Sequence, residues 1–225
     1  GVPTGAASAK RPGPPQGCGL YRDRSLAWIH AQRAARLAQG IRFRRVESLR
    51  GKLLIASPAL GDPNFERTVV LITEHGDDGA MGIVLNRPSE AEVAEIVPEL
   101  AAIAEGEPIF VGGPVQPEAL VVLGEFSDPD KAAWIVVAEV GLVSAQTDLE
   151  ELPAAVRRGR VYAGFSGWAP GQLEDEIAED SWIVEPPLPA ELFPEDPEHL
   201  WSAVLARKGG EYALVARMPE DPSMN

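Results

Sequence analysis

The chain has 225 residues, of which 45% are hydrophobic and 24% charged, and its formal net charge at pH 7 is −14. This length suits one large domain, or one domain with appendages. No apolar run approaches the roughly 18 to 20 residues of a membrane-spanning helix, and no apolar segment of about 7 to 15 residues follows the basic start as in a signal peptide. The single cysteine, Cys18, is consistent with a reducing compartment. We therefore expect a cytoplasmic protein that does not enter a membrane.

The charge is divided unevenly along the chain. Residues 1–50 carry ten Lys/Arg and two Asp/Glu, a net charge of +8, whereas residues 51–225 carry ten Lys/Arg and 32 Asp/Glu, a net charge of −22. An acidic surface repels the phosphate backbone of nucleic acids. We therefore do not expect the acidic body to bind DNA directly, which leaves the basic arm as the segment suited to that contact.

Residues 1–50 are predicted to form a basic, largely disordered arm. The first 24 residues are rich in Gly and Pro, and residues 25–39 have the spacing of a marginal helix. Three interpretations of the arm stay open: a tail that touches nucleic acid or lipid headgroups, an organelle transit peptide, and a non-native extension without a role. The last is favoured because Val46 can serve as a bacterial start codon and unstructured tails are common.

The body, residues 51–217, begins with three short β-branched strands at 52–57, 68–74 and 80–85. Gly76-Asp77-Asp78-Gly79 predicts a hairpin between the last two, because Gly and Asp tolerate the positive φ of such turns. Ser89 and Glu92 predict a capping box that opens a helix over 90–104, bent at Pro98. The later predicted elements are strands at 108–111, 119–124, 134–140, 160–165, 181–184 and 211–217, helices at 148–157, 173–179 and 198–208, and a polar tail at 218–225.

Four loops at strand ends carry unusual polar or glycine-rich motifs. A guanidinium binds an anion through a bidentate fork, an indole can stack on a ligand, and adjacent glycines allow close approach of backbone. Each motif also has a structural interpretation: turn formation, an ion pair within an acidic protein, strand packing, or burial in the core. The predicted ligand-binding residues of a shared groove are Asp62, Asn64, Arg67, Asn86, Arg87, Gly112, Gly113, Ser166, Trp168 and Gln172.

Motifs for nucleotide, metal or catalytic chemistry are weak. The chain has neither a dinucleotide-binding fingerprint nor a phosphate-binding P-loop, and it has no Cys or His cluster, so we predict no cofactor and no metal. Ser166 lies in Gly164-Phe165-Ser166-Gly167-Trp168, where Trp168 replaces the second glycine of a nucleophile elbow. A catalytic set of Ser166, His75 and Asp62 is a minor alternative, because all three side chains would have to meet in space.

The motifs LLIASPAL, DPNF, RTVVLI, GIVLNRP, IFVGGPV and GFSGWAPGQLE occur in this order between residues 53 and 174. Together they resemble the YqgE/AlgH family over residues 51–217. The resemblance implies a bacterial cytoplasmic protein with a single compact α+β domain, in which a mixed, pseudo-barrel-like β-sheet is flanked by helices. It implies no established biochemical activity. Some members are labelled transcriptional regulators because of a genetic link to alginate production, which is not evidence of DNA binding.

The leading functional prediction is a cytoplasmic binding or regulatory domain rather than an enzyme. Its polar groove would take a small anionic ligand or a protein partner. One alternative is a hydrolase-like enzyme that uses Ser166. A second alternative is a transcription-linked regulator that contacts nucleic acid through the basic arm.

Overall fold

The computed structural model describes residues 48–144 and 147–218. Within these ranges the chain forms ten β-strands and six α-helices, with 3-10 turns at Pro98–Leu100 and Pro129–Lys131. The predicted arm up to residue 47 and the predicted tail from residue 219 lie outside the described residues. The strands are β1 Leu53–Ala56, β2 Val69–Gly76, β3 Gly79–Val84, β4 Pro88–Glu92, β5 Pro108–Val111, β6 Val115–Phe126, β7 Trp134–Val137, β8 Val140–Leu142, β9 Val156–Trp168 and β10 Trp182–Glu185. The helices are α1 Val93–Ile96, α2 Leu152–Ala155, α3 Gln172–Ala178, α4 Pro189–Leu192, α5 Leu200–Lys208 and α6 Tyr212–Val215.

All ten strands belong to one sheet. Eight follow the order β10-β1-β2-β3-β9-β6-β8-β7, while β5 joins β9 and carries β4 on its other side. Strand β5 runs parallel to β9, and the other described pairs are antiparallel. The path does not close, but the sheet curls enough for Arg50 Nη2, just before β1, to donate to Ile135 O in β7 at 2.7 Å. The predicted α+β class with a mixed sheet is confirmed. The sheet resembles a barrel only in that it curls without closing.

The sheet is covered on both faces, so its central strands are continuous apolar runs. In β1 the side chains of Leu53 and Ile55 pack in one buried cluster with Trp201 of α5, whereas Leu54 packs in another with Trp168 of β9. Alternate residues of a strand point to opposite faces, which explains this division. Each fully buried Leu or Ile contributes about 1.5–3 kcal/mol to folding.

Strand β9 carries polar side chains at both of its ends. It has 13 residues and pairs with β3, β5 and β6. Its first residues after Val156 are Arg157-Arg158-Gly159-Arg160, and its last three are Ser166-Gly167-Trp168. The arginine run and the predicted serine–tryptophan loop therefore lie at opposite ends of one strand.

The predicted capped helix over 90–104 is wrong in most of its length. Residues Pro88–Glu92 form strand β4, Val93–Ile96 form the single turn α1, and a 3-10 turn follows at Pro98. The Ser89 hydroxyl accepts a hydrogen bond from Ala91 N at 3.2 Å instead of capping a helix. Proline removes a backbone donor, so the helical turn stops before Pro98.

The predicted last strand over 211–217 is also wrong, because residues Tyr212–Val215 form helix α6. Gly209 and Gly210 have φ values of 77° and 59°, which end α5 and turn the chain before α6 begins. Tyr212 and Val215 then pack against the core from one helical face. Other predicted limits were also wrong: 134–140 is divided between β7 and β8, and only Leu152–Ala155 of 148–157 is helical. The strands predicted at 119–124 and 160–165 extend over Val115–Phe126 and Val156–Trp168.

Candidate functional site

The loop around Asp62 is built by its own turn hydrogen bonds. Asp62 Oδ1 accepts from Asn64 N at 2.8 Å and from Asn64 Nδ2 at 2.9 Å. Arg67 has φ of 51°, and its guanidinium donates to Met218 O at 2.6 Å while it lies 4.7 Å from the centre of the Trp201 ring. The turn-forming interpretation of Asp62 and Asn64 therefore accounts for the contacts of both side chains.

Asn86 and Arg87 hold this same loop in place. Asn86 Oδ1 accepts from Val69 N at 2.8 Å, and its Nδ2 donates to Arg67 O at 2.9 Å. Arg87 Nη1 donates to Asn64 O at 2.7 Å, and its Nη2 donates to Glu66 O at 3.1 Å. Burial lowers the pKa of Arg87, although the charges of Glu66 and Asp62 act to raise it. Both side chains thus bind the protein's own backbone.

Gly112 and Gly113 serve the packing of β5 against β9. A Cβ atom on Gly112 would lie 2.3 Å from Gly164 O, and one on Gly113 would lie 2.3 Å from the carbonyl carbon of Phe165. Ser166 is fully buried, and its hydroxyl donates to Gly112 O at 3.3 Å. The two glycines therefore admit a neighbouring strand, and the serine hydroxyl is turned toward the backbone of that strand.

The predicted catalytic partner of Ser166 is engaged elsewhere. His75 Nδ1 accepts from Leu49 N at 2.9 Å, and its Nε2 lies 2.9 Å from Glu174 Oε1. Since Nδ1 is the acceptor, the ring proton is on Nε2, and this N–H donates a hydrogen bond to the carboxylate of Glu174. A nucleophilic serine requires a hydrogen-bonded base, and this histidine does not provide one.

Trp168 and Gln172 belong to a structural cluster around Glu176. The Trp168 ring is 3% exposed and stacks on Phe65 with ring centres 6.2 Å apart. Glu176 Oε2 accepts from the indole nitrogens of Trp168 and Trp182 at 2.9 and 2.7 Å, and Glu176 Oε1 accepts from Gln172 Nε2 at 2.8 Å. These polar groups satisfy one another and leave no stacking surface for a ligand.

The predicted loops do approach one another. Arg87 donates to Asn64 O in the Asp62 loop, and Phe65 of the same loop stacks on Trp168. A cleft of about 370 Å³ remains beside them, between Leu60, the Asp62 loop and Trp201. Among the ten predicted site residues only Asp62 and Arg67 line it. The other eight predicted residues do not line this cleft, and the shared groove stays a prediction.

A larger cleft, of about 660 Å³, lies at the other end of β9, and we call it the arginine cleft. Sequence reasoning missed it, because Arg157 was assigned to a helix and Arg160 to the next strand. The sequence did contain a signal of this cleft. Residues 157–160 include three of the ten Lys/Arg that the acidic body has in all. Its lining residues are Ala102 to Pro108, Phe110, Arg157 to Arg160, Phe193, Glu195 and Pro197.

Arg160 is the buried cation of the arginine cleft, with its side chain 6% exposed. Its Nε donates to Glu107 Oε2 at 2.8 Å, its Nη2 donates to Pro194 O at 2.7 Å, and its guanidinium lies 4.7 Å from the Phe110 ring centre. Its Nη1 is buried and has no hydrogen-bond partner among the described residues. Buried polar atoms in proteins are nearly always paired, so this nitrogen calls for a partner.

Arg157 and Arg158 form the half-exposed rim of the arginine cleft. They share Glu125, which accepts from Arg157 Nη1 at 2.9 Å and from Arg158 Nε at 2.8 Å. Burial raises the pKa of Glu125, but the hydrogen bonds and charges of the two arginines outweigh it and hold the pKa below its ordinary value. The Arg158 guanidinium also lies 4.5 Å from the ring centre of Phe193.

Tyr162 lies two residues beyond Arg160 and thus on the same face of β9. Its hydroxyl is buried and, like Arg160 Nη1, has no partner among the described residues. Burial raises the pKa of the hydroxyl, while the charge of Arg160 acts to lower it. The phenol is therefore neutral at pH 7 and available as a hydrogen-bond donor.

In the part of the chain that the structure describes, no group of three or more His, Cys, Asp or Glu side chains is arranged to hold a metal ion. Among the same residues, no helix has the length and apolar character to cross a bilayer.

Fold and site together define an α+β domain on one curled mixed sheet, with an arginine-lined cleft at one end of strand β9. A family model described as AlgH-like matches residues 53–213. A UPF0301 protein of Streptomyces coelicolor is 44% identical over 188 residues, 80% of this chain and 97% of that protein. A UPF0301 protein of Mycobacterium tuberculosis is 41% identical over 181 residues, 78% of this chain and 90% of that protein.

Two solved structures share the fold. A crystal structure of a Corynebacterium diphtheriae protein has a TM-score of 0.71 and 27% identity, and the match covers 78% of this chain and 95% of that one. The solution structure of AlgH from Pseudomonas aeruginosa has a TM-score of 0.60 and 32% identity, over 80% of this chain and 100% of that one. The chain belongs to the AlgH-like family, as its motifs indicated. Neither the family description nor these names state an activity.

Proposed function

We propose that this protein is a non-enzymatic binding domain that holds a small anionic ligand in the arginine cleft. The observation that carries the proposal is Arg160, whose Nη1 is buried and unpartnered in the described residues while Nε and Nη2 are both paired. An unpaired buried donor costs about 1–3 kcal/mol. A ligand oxygen that reaches Nη1 after a small shift of the surrounding side chains would remove that cost, which favours an anion.

The surroundings of Arg160 support binding of a small molecule rather than contact with a large partner. Pockets for small ligands commonly enclose roughly 300–1,000 Å³ and combine apolar walls with a few polar groups. The arginine cleft encloses about 660 Å³ and has apolar walls at Ile103, Phe110 and Phe193. A guanidinium set into such a wall is worth more to an anion than one in bulk water, because the local dielectric is lower.

The binding proposal is tested by titrating the full chain with acetate, succinate and inorganic phosphate at low salt, followed by amide NMR shifts. We expect saturable shifts at Arg157–Gly159 and around Phe193. Arg160→Lys keeps the charge but loses the fork, and should weaken binding about tenfold. Arg217→Ala removes an exposed arginine outside the cleft and serves as the control. The proposal is overturned if no anion shifts these amides, or if Arg160→Lys folds and binds as tightly as the parent.

The hydrolase alternative makes a different prediction. Ser166 is fully buried with its hydroxyl on Gly112 O, so a fluorophosphonate probe should not label the native protein. Labelling that requires native fold and disappears in Ser166→Ala would instead establish a reactive serine.

The setting we propose for this binding is the bacterial cytoplasm. The family resemblance implies it, and the relatives from Streptomyces and Mycobacterium support its bacterial part. A role in transcription through the basic arm stays a prediction of the sequence, because residues 1–47 lie outside the described residues.

A further inference from the structure

We infer that the ligand of the arginine cleft is a small zwitterion, an amino-carboxylate with an apolar side chain, rather than a phosphate or a simple acid. This inference rests on the proposed anion site and assigns its chemical class. Three features of the cleft lead to it: the arginines already have carboxylate partners, further carboxylates line the cleft, and the intervening wall is apolar.

The charges of the arginine cleft are close to balanced before any ligand arrives. Glu107 pairs with Arg160 at 2.8 Å, and Glu125 is shared by Arg157 and Arg158. A dianionic phosphate would bring two more negative charges to cations that are already matched. A single carboxylate needs only the donor that Arg160 Nη1 has left, which makes a monoanionic group the better fit.

Two exposed carboxylates, Glu105 and Glu195, also line the arginine cleft. Neither side chain has a hydrogen bond or ion pair to any described residue. Glu195 follows Pro194, whose carbonyl binds Arg160, and Glu105 lies two residues before Glu107, which pairs with it. Both residues therefore line the cleft and are close in sequence to a group that binds the Arg160 guanidinium. A cation on the ligand would be attracted there, whereas a second anion would be repelled.

The wall between these charges suits an apolar side chain. Ile103 and Phe193 line the cleft, and both are at least nine-tenths buried. A ligand with a carboxylate at Arg160, an ammonium near Glu105 or Glu195, and an aliphatic body against this wall uses all three features at once. An α-amino acid with a branched aliphatic side chain has this arrangement of groups and fits easily within about 660 Å³.

The experiment compares matched probes on the full chain by amide NMR titration: L-leucine, 4-methylpentanoate without the ammonium, 3-methylbutylamine without the carboxylate, and inorganic phosphate. We expect L-leucine to bind about fivefold or more tightly than each of the others, the size of one partly exposed charge pair. In the double variant Glu105→Gln and Glu195→Gln, L-leucine should weaken about fivefold, while 4-methylpentanoate should bind as well or better. Glu118→Gln, an exposed glutamate outside the cleft, is the matched control.

The outcomes separate this inference from the proposed function. If 4-methylpentanoate or phosphate binds as tightly as L-leucine, the zwitterion is ruled out and the anion site stands. If the double glutamine variant binds L-leucine like the parent, the acidic residues have no role and the inference fails. If none of the four probes shifts the cleft amides, the anion site itself is wrong.

Discussion

Arg87 and Arg160 show how one residue type serves two purposes in this domain. A guanidinium offers five N–H donors. Arg87 directs its donors to main-chain carbonyls of one loop, at Asn64, Glu66 and Pro63. Arg160 is anchored by a carboxylate and one carbonyl and keeps a buried donor without a described partner. The first pattern is that of a structural clamp, and the second is that of a residue prepared for a ligand.

The clamp predicts a stability effect without a binding effect. Arg87→Met removes the hydrogen bonds to Asn64 O and Glu66 O, and water then pairs with these exposed carbonyls. We expect the free energy of unfolding to fall by about 1 kcal/mol, because the net contribution of such hydrogen bonds is modest. Urea denaturation gives the value, with Arg217→Met as an exposed control. Unchanged stability would show that the Arg87 contacts are dispensable.

Glu125 predicts a pH dependence at the rim of the arginine cleft. Its pKa in the folded protein lies below the ordinary value of 4.5, so the carboxylate stabilises the fold at neutral pH. This contribution is present above the unfolded pKa and is lost as the pH falls through the folded pKa. The stability difference between the parent and Glu125→Gln should therefore be largest at neutral pH and shrink below about pH 4.5. A difference that stays constant or grows in acid would contradict it.

At the scale of elements, β9 joins the loops around Trp168 to the arginine cleft in which we propose binding. Its N-terminal residues carry the arginines, while its C-terminal residues hold Ser166 against Gly112 and Trp168 against Phe65. Between them Gly164 adopts φ of 71°, and its backbone makes a close approach to Gly112 after β5. Strand β5 can pair with β9 because β3 occupies that edge only at Ser166–Trp168 and leaves Tyr162 and Ala163 open to β5.

The close approach predicts a strong effect of one methyl group. The Cβ atom of Gly112→Ala would meet Gly164 O at 2.3 Å and Tyr162 Cβ at 3.0 Å, so the strands must separate. We expect a loss of about 3 kcal/mol in the free energy of unfolding. Gly61→Ala is the matched control, since nothing lies within 4 Å of its Cβ atom. Equal stability of the two variants, measured by thermal and urea denaturation, would contradict the role given to Gly112.

The sequence predicted most strands but misjudged short helical segments. The strands near 52–85 and their Gly76–Gly79 hairpin follow from β-branched runs and a turn motif, which act locally. The predicted helix over 90–104 and the predicted strand over 211–217 were wrong. The capping motif at Ser89 and the short apolar–polar alternation after Glu211 were overridden by contacts with residues distant in the sequence. Val93 N donates to Glu107 O, and Tyr212 packs on the core, and neither contact is visible in a local pattern.

At the scale of the whole molecule, charge divides the chain into a basic arm and an acidic body. The body, residues 51–225, has a net charge of −22. Its three-arginine run pairs with Glu107 and Glu125, and Glu105 and Glu195 line the same cleft, so even its most basic region is not a cationic patch. That the body alone does not bind nucleic acid stays an expectation from this distribution of charge.

That expectation predicts the behaviour of a truncated chain. Residues 46–225 should show no measurable affinity for duplex DNA at physiological salt, because phosphate neutralisation needs clustered cations. Comparison with the full chain over a salt titration isolates any contribution of the arm. Tight, salt-dependent binding by residues 46–225 would mean that the acidic body carries a nucleic-acid site.

By itself, the sequence determined the family, the α+β class and the first strands, since these depend on short motifs and local patterns. It also showed that the residues around Ser166 depart from a nucleophile elbow. The tertiary structure decided which polar residues are already occupied. Asn86 and Arg87 bind a loop about 20 residues away, and Trp168 is closed off by Phe65. It also created the arginine cleft, where Arg160 meets Glu107 across 53 positions and Pro194 across 34. Burial and pairing depend on such distant contacts, so composition and spacing could not distinguish the clamp at Arg87 from the open donor at Arg160.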